Sequence, residues 1–109
     1  MSETSIVFVT AGSEEEAAHI GRTLVEERLA ACANIIPALR SIYRWKGEIC
    51  DEREVLIIIK TRTSKYESLE KRVKELHSYE VPEIVSFSVD RGLPRYLAWV
   101  AEETEAESD

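Results

Sequence analysis

The sequence predicts an α+β fold in one domain, an antiparallel sheet layered against helices. Three observations carry this reading. A strand, cap, helix, strand pattern occurs twice, because Thr10, Ser13 and Glu16 after the first strand are echoed by Thr61, Ser64 and Glu67 after the third. Between the two halves, Lys46-Gly47 is a turn signal joining two β-branched runs into a hairpin. The length, 109 residues, sustains one hydrophobic core, and two domains would leave neither with one.

Each element follows from local chemistry. SIVFVT (5–10) is short, apolar and β-branched, a strand buried on both faces. Ser13 with Glu16 forms an S-x-x-E capping box, and Ala17, Ile20, Gly21, Leu24 and Val25 share one helical face while His19, Arg22 and Glu26 fall on the other. The pattern predicts a helix of about eighteen residues. CANIIP (32–37) is the next strand, interrupted at Pro37, which cannot donate to a ladder and so marks an edge or a bulge; pairing resumes in LRSIYRW. Past the turn, GEICDERE is polar and REVLIIIKT (53–61) is the most strand-like run in the chain. Ser64 and Glu67 offer a second capping box, and Tyr66, Leu69, Val73 and Leu76 mark the buried stripe of a second helix. After the connector HSYEVPEI (77–84), EIVSFSV gives a fourth strand. Pro94 suits the first turn of a third helix with Leu93, Tyr96, Leu97 and Val100 on its apolar face. The acidic tail, 104–109 above all, has almost nothing to bury and is expected to be frayed. The order βαββαβ plus a C-terminal helix is the ferredoxin-like sandwich, with both long helices on one face of the sheet.

Composition limits the function. The apolar fraction is 44%, and no run reaches the ~18 to 20 apolar residues of a membrane span. The N-terminus lacks the basic region of a signal peptide, which places the chain in the cytoplasm. Fourteen Lys and Arg against twenty-one Asp and Glu give a net charge of −7, which opposes binding to nucleic acid. Cys32 and Cys50 have no paired spacing and are expected to be reduced thiols.

The predicted sheet has two edges and one face without long helices, yet its strands are apolar almost throughout. One short helix is too small to cover that face, which predicts a homo-oligomer built through strand edges and the hairpin. On the hairpin, Ser41, Tyr43 and Trp45 share a face, the two rings lying either across a subunit boundary or on the protomer's own core.

Read together, ERLAACANIIP, SIYRWKGEI, EVLIIIKT, ELHSYEVPEI and G-x-x-x-YLAWV resemble, in order and spacing, the CutA divalent-cation-tolerance family, from Ile6 to about Glu103. The resemblance implies a ferredoxin-like protomer, a trimer closed by strand-edge pairing, a cytoplasmic location and an association with copper and other divalent ions, without an established reaction. In trimer architecture the family also looks like the PII signalling proteins, which bind nucleotides and small effectors between subunits. This sequence departs from the family pattern at Ser78 and Ser88, where proline is common, and at Ala38, where a glycine often follows NIIP.

Several residues could carry a site. His77, at the end of the second helix, either complements the negative dipole end or offers nitrogen to Cu, Zn or Ni, with Glu80 or Glu83 adding oxygen. Their H-x-x-E-x-x-E spacing crosses a helix-to-strand break, so convergence is not required. Cys32 is either a small buried hydrophobe or, with a further partner, a soft-metal ligand; the resemblance raises Cys32 and His77 as ligands. Cys50, in the polar arm, is expected to be exposed. Lys60 could bury its stem and pair with Glu83. In the functional reading Tyr43, Trp45, Lys60, His77, Tyr79 and Glu83 line a cleft between subunits that takes a metal or an anion, with Tyr96 and Trp99 either walling it or packing in the core. Catalysis has little support: no nucleophile elbow, phosphate loop or H-E-x-x-H is present, and His19 lies on the wet face of its helix. The expected function is divalent-metal tolerance by ion binding without turnover; the alternative is a PII-like module that takes a small anionic effector and meets a partner protein.

Overall fold

A computed structural model describes residues 3–105. Its elements are β1 (Thr4–Ala11), α1 (Glu14–Glu26), β2 (Cys32–Trp45), β3 (Glu48–Arg62), a 3-10 turn (Thr63–Lys65), α2 (Tyr66–Leu76), β4 (Ile84–Ser88) and α3 (Pro94–Glu103). The four strands form one sheet in the order β2-β3-β1-β4, every neighbouring pair antiparallel. This is the α+β sandwich expected.

The core lies between α1, α2 and one face of the sheet. Register explains its composition: Val7, Val9 and Ala11 pair with Ile59, Ile57 and Val55, and paired residues share a face. These side chains pack with Ala17, Ile20, Leu24, Leu69 and Val73 in one buried cluster.

Helix ends differ from the expectation where sequence lacked the usual signals. α1 runs thirteen residues, not about eighteen, and closes in a Schellman arrangement, with Leu29 N–H donating to Leu24 O and Arg28 N–H to Val25 O. Arg28 takes the left-handed position at φ 60° that glycine usually fills, so no glycine announced the stop. Val25, expected in the core, is exposed. Ser13 caps α1 by accepting from Glu16 N–H at 3.1 Å. Ser64 caps nothing, because the chain passes through the 3-10 turn and α2 has no side-chain cap.

The hairpin is long, its ladder running from Cys32 opposite Lys60 to Trp45 opposite Glu48. Lys46 (φ 50°) and Gly47 (φ 81°) are both left-handed, the type I′ geometry whose twist matches the strands, and they pin Trp45 opposite Glu48. Toward its root the register shifts between Ile36 and Leu39, with Ala38 at φ 63°. That bulge follows Pro37 on an edge strand, as its missing N–H requires.

The other sheet face is only partly covered. α3 sits over the Arg62 end, where Arg62 Nε and Nη2 donate to Thr104 Oγ1 (2.9 Å) and Thr104 O (2.6 Å). Thr104 is therefore fully buried, which corrects the frayed tail at that position; residues 106–109 lie outside the described residues. Beyond the reach of α3, Ile36, Val85 and Phe87 stay exposed, Phe87 at 51%.

Candidate functional site

A groove of about 700 Å³ lies between the outer half of the hairpin and the connector after α2. Strand alternation supplies one wall: Ser41 pairs with Glu52 and Tyr43 with Cys50, so Tyr43, Trp45, Glu52 and Glu54 line the groove from alternate positions. The connector supplies the other wall with Tyr79, Glu80, Val81 and Glu83.

The connector is held at its start by His77. Its side chain is fully buried; Nε2 lies 2.7 Å from Thr10 O, and Nδ1 accepts from Tyr79 N–H at 3.0 Å. That pairing assigns the neutral Nε2–H tautomer, with Nε2–H donating to the Thr10 carbonyl. Glu16 closes the arrangement by accepting from Ser78 N–H (2.7 Å) and Ser78 Oγ–H (2.9 Å). A proline at 78 could not make the first of these bonds. Glu16 thus serves the connector rather than completing a capping box.

Tyr79 then reaches the hairpin. Its hydroxyl donates to Glu54 Oε2 at 2.8 Å, and a Cβ at Gly12 would stand 3.3 Å from that hydroxyl oxygen, so Gly12 gives the phenol room. The Tyr79 phenol is pushed well above its ordinary value, first by burial, then by its bond to Glu54 and that carboxylate's charge. Tyr43 is raised too, first by loss of solvent and then by Glu52. Glu54 is only 8% exposed, and its side chain accepts from Tyr79.

The groove's positive charge is already committed. Arg40 donates through Nε and Nη2 to the two Asp51 oxygens at 2.8 and 2.6 Å, which raises Arg40 and lowers Asp51.

Of the six residues expected to line a cleft between subunits, Tyr43, Trp45, Tyr79 and Glu83 line this groove of the single chain. Two do not. His77 stands outside the groove, its side chain buried and both ring nitrogens hydrogen-bonded within the chain. Lys60 does not pair with Glu83: its ammonium bonds Asn34 Oδ1 and lies 3.9 Å from Cys32 Sγ, because Cys32 and Lys60 are register partners at the other end of the sheet. Cys32 is half-buried beside Lys60, so it meets neither His77 nor Glu83 within the chain. Cys50 is half-buried rather than exposed, and both thiols are free. Tyr96 and Trp99 pack against each other, centroids 5.6 Å apart with the rings tilted by 37°, and stand outside the groove. Among the described residues no group of three His, Cys, Asp or Glu side chains converges as a metal cage.

Arg40, Glu52 and Glu54 were not singled out from sequence. The two-residue turn held the signal: counting back from Trp45 opposite Glu48 puts Glu52 across from Ser41, on the aromatic face.

Residues 5–103 match the family of the CutA1 divalent ion tolerance protein. The chain is 50% identical over 99 residues to the divalent-cation tolerance protein CutA of Thermus thermophilus, covering 91% of this chain and 96% of that one. It is 47% identical over 105 residues to protein CutA of Mus musculus, covering 96% of this chain but spanning only 59% of the longer relative. The solved Thermus thermophilus structure superposes with a TM-score of 0.91 at 49% identity, over 94% of this chain and 99% of that one. A structure described as the periplasmic divalent cation tolerance protein CutA of Archaeoglobus fulgidus also gives 0.91, at 39% identity over 94% and 99% of the two chains. The chain belongs to the CutA1 divalent ion tolerance family.

Proposed function

We propose that the protein acts as a cytoplasmic homotrimer that confers tolerance to divalent metal ions, copper among them, by binding without turnover. The observation that carries this reading is the position of the carboxylate groove. It opens between two parts of the chain that present uncovered apolar side chains, the hairpin with Ile42, Tyr43, Trp45 and Ile49 and the connector with Val81. Copies of the chain packing on those side chains and on the two edge strands would bring further donors to Glu80 and Glu83, which alone are too few for an ion. Cys32 remains a separate soft donor at the Lys60 end of the sheet. No described helix is long and apolar enough to cross a membrane.

The anionic-effector reading has no comparable support, since Lys60 lies outside the groove and Arg40 is neutralised by Asp51. Calorimetric titration tests the choice. Saturable Cu(II) or Zn(II) binding that Glu83→Gln or Cys32→Ser weakens is expected. Silence toward metals with saturable binding of a nucleotide would replace this reading by the anionic one.

A further inference from the structure

We infer that Cys32 and Lys60 form a redox-controlled covalent site, in which hydrogen peroxide joins the thiol sulfur to the lysine nitrogen through one oxygen atom. The link lies within a single chain, away from the groove and the hairpin tip, and it needs no metal ion.

Register brings the two nucleophiles together. Cys32 opens β2 and stands opposite Lys60 on β3, so both side chains leave the same face of the sheet. Lys60 Nζ donates to Cys32 Sγ at 3.9 Å and to Oδ1 of Asn34, the next residue of β2 on that face. Asn34 therefore holds the lysine head over the sulfur. α3 lies beside the pair: the Tyr96 phenol is raised first by burial and then by the charge of Cys32, which places it near the thiol. Cys32 and Lys60 are both half-buried, and a partly exposed thiol beside a positive charge is the setting in which cysteines oxidise selectively. Both reacting groups belong to one chain and the oxidant is hardly larger than water, so no wide opening is required.

The surroundings limit what an oxidised Cys32 does next. The other thiol, Cys50, pairs with Tyr43, eleven positions along β2 from Cys32 and on the order of 35 Å away at the rise of a strand. A disulfide within the chain is out of reach, and the nucleophile at hand is the Lys60 amine. The first peroxide converts the thiol to a sulfenic acid: the O–O bond breaks, one oxygen joins the sulfur and the other leaves as water. The Lys60 ammonium then gives a proton to solvent, and its nitrogen bonds to the sulfenic oxygen. A second peroxide takes up the two electrons that nitrogen loses and, with one hydrogen from the amine and one from the sulfenic acid, leaves as two waters. The chain gains one oxygen and loses two hydrogens. Linked in this way, Cys32 is no longer a soft donor; that consequence rests on the metal reading above, whereas the link itself does not.

The test is peptide mapping by mass spectrometry of the full chain after treatment with hydrogen peroxide in metal-free buffer, in the wild type and in Cys50→Ser, which removes the second thiol. Tryptic peptides 29–40 and 54–62 are expected as one joined species, heavier than their sum by one oxygen and lighter by two hydrogens, with cleavage after Lys60 lost. Excess dithiothreitol, itself oxidised to a disulfide, should separate the peptides and restore that cleavage. Lys60→Arg keeps a positive charge beside the sulfur but has no amine, so it should abolish the joined species while Cys32 still oxidises. Oxidation of Cys32 to sulfinic or sulfonic acid, or to a disulfide between chains, with Lys60 still cleaved would overturn the inference. So would a Cys32 that does not react, or joined peptides that persist in Lys60→Arg. Because no ion takes part, failure here leaves the metal reading to calorimetry, and failure of calorimetry leaves this link standing.

Discussion

The root and the tip of one hairpin have opposite fates. At the root, Ile57 and Ile59 of β3 are fully buried beneath α1 and α2; at the tip, Ile42 and Ile49 are 65% and 67% exposed. The same residue type in the same ladder differs only in what lies over it. The root is finished by the chain's own helices, whereas the tip reaches past them. Covalent continuity along a strand does not decide burial; the layer above it does.

The largest expected effect is at the root. Ile57→Ala should cost about 2–5 kcal/mol of unfolding free energy, because it removes fully buried methylenes and leaves a cavity. Ile49→Ala at the tip should change the stability of the separated chain by no more than about 0.5 kcal/mol while weakening self-association. Denaturant unfolding at low and high protein concentration reads both. Equal costs at the two positions would abolish the contrast.

The next effect is at His77, which ties the connector to the root of β1. Replacing it by alanine strands the Thr10 carbonyl and the Tyr79 N–H, at a cost of about 1–3 kcal/mol. The same measurement checks it, and a neutral outcome would mean that the ring is dispensable as a strut.

A smaller and opposite change lies where root passes into tip. Ala38 sits in the left-handed region at the bulge, where a side chain costs about 1–2 kcal/mol and glycine recovers most of that against its own entropic cost of about 0.5–1 kcal/mol. Ala38→Gly should stabilise by roughly 0.5–1 kcal/mol in chemical melts. A loss of stability would show that the bulge is held by something other than backbone preference.

The last effect, seen only at alkaline pH, is on the helix-covered side. Tyr66, beneath Ile84 and bonded to Glu70, is raised to about 12, first by burial and then by the Glu70 hydrogen bond and charge. A raised folded-state value means that its stabilisation is complete below the unfolded-state value near 10, and is lost as pH climbs from there through about 12. Thermal melts across that range should fall, and Tyr66→Phe should flatten the fall.

Most of the fold was legible because hydrophobic period, turn chemistry and the first cap agreed. The exceptions have physical reasons. Arg28 ends α1 in a conformation that sequence assigns to glycine, and a 3-10 turn displaced the second cap. At the site, strand alternation put Tyr43 and Trp45 on one face and Pro82 aimed Glu83 at the start of β4, and all three line the groove. His77 and Lys60 could not be placed in this way. Both have chemistry that suits a ligand, but their roles depend on which backbone carbonyl or neighbouring strand lies beside them, and that is fixed only by tertiary register.

The central claim is that the uncovered tip and the open sheet face are closed by further copies of this chain. Sedimentation equilibrium at micromolar concentration tests it most directly. The account predicts a species of three times the chain mass that shifts toward smaller species when Ile49 and Phe87 are replaced by aspartate; a wild-type particle with the mass of one chain would contradict it.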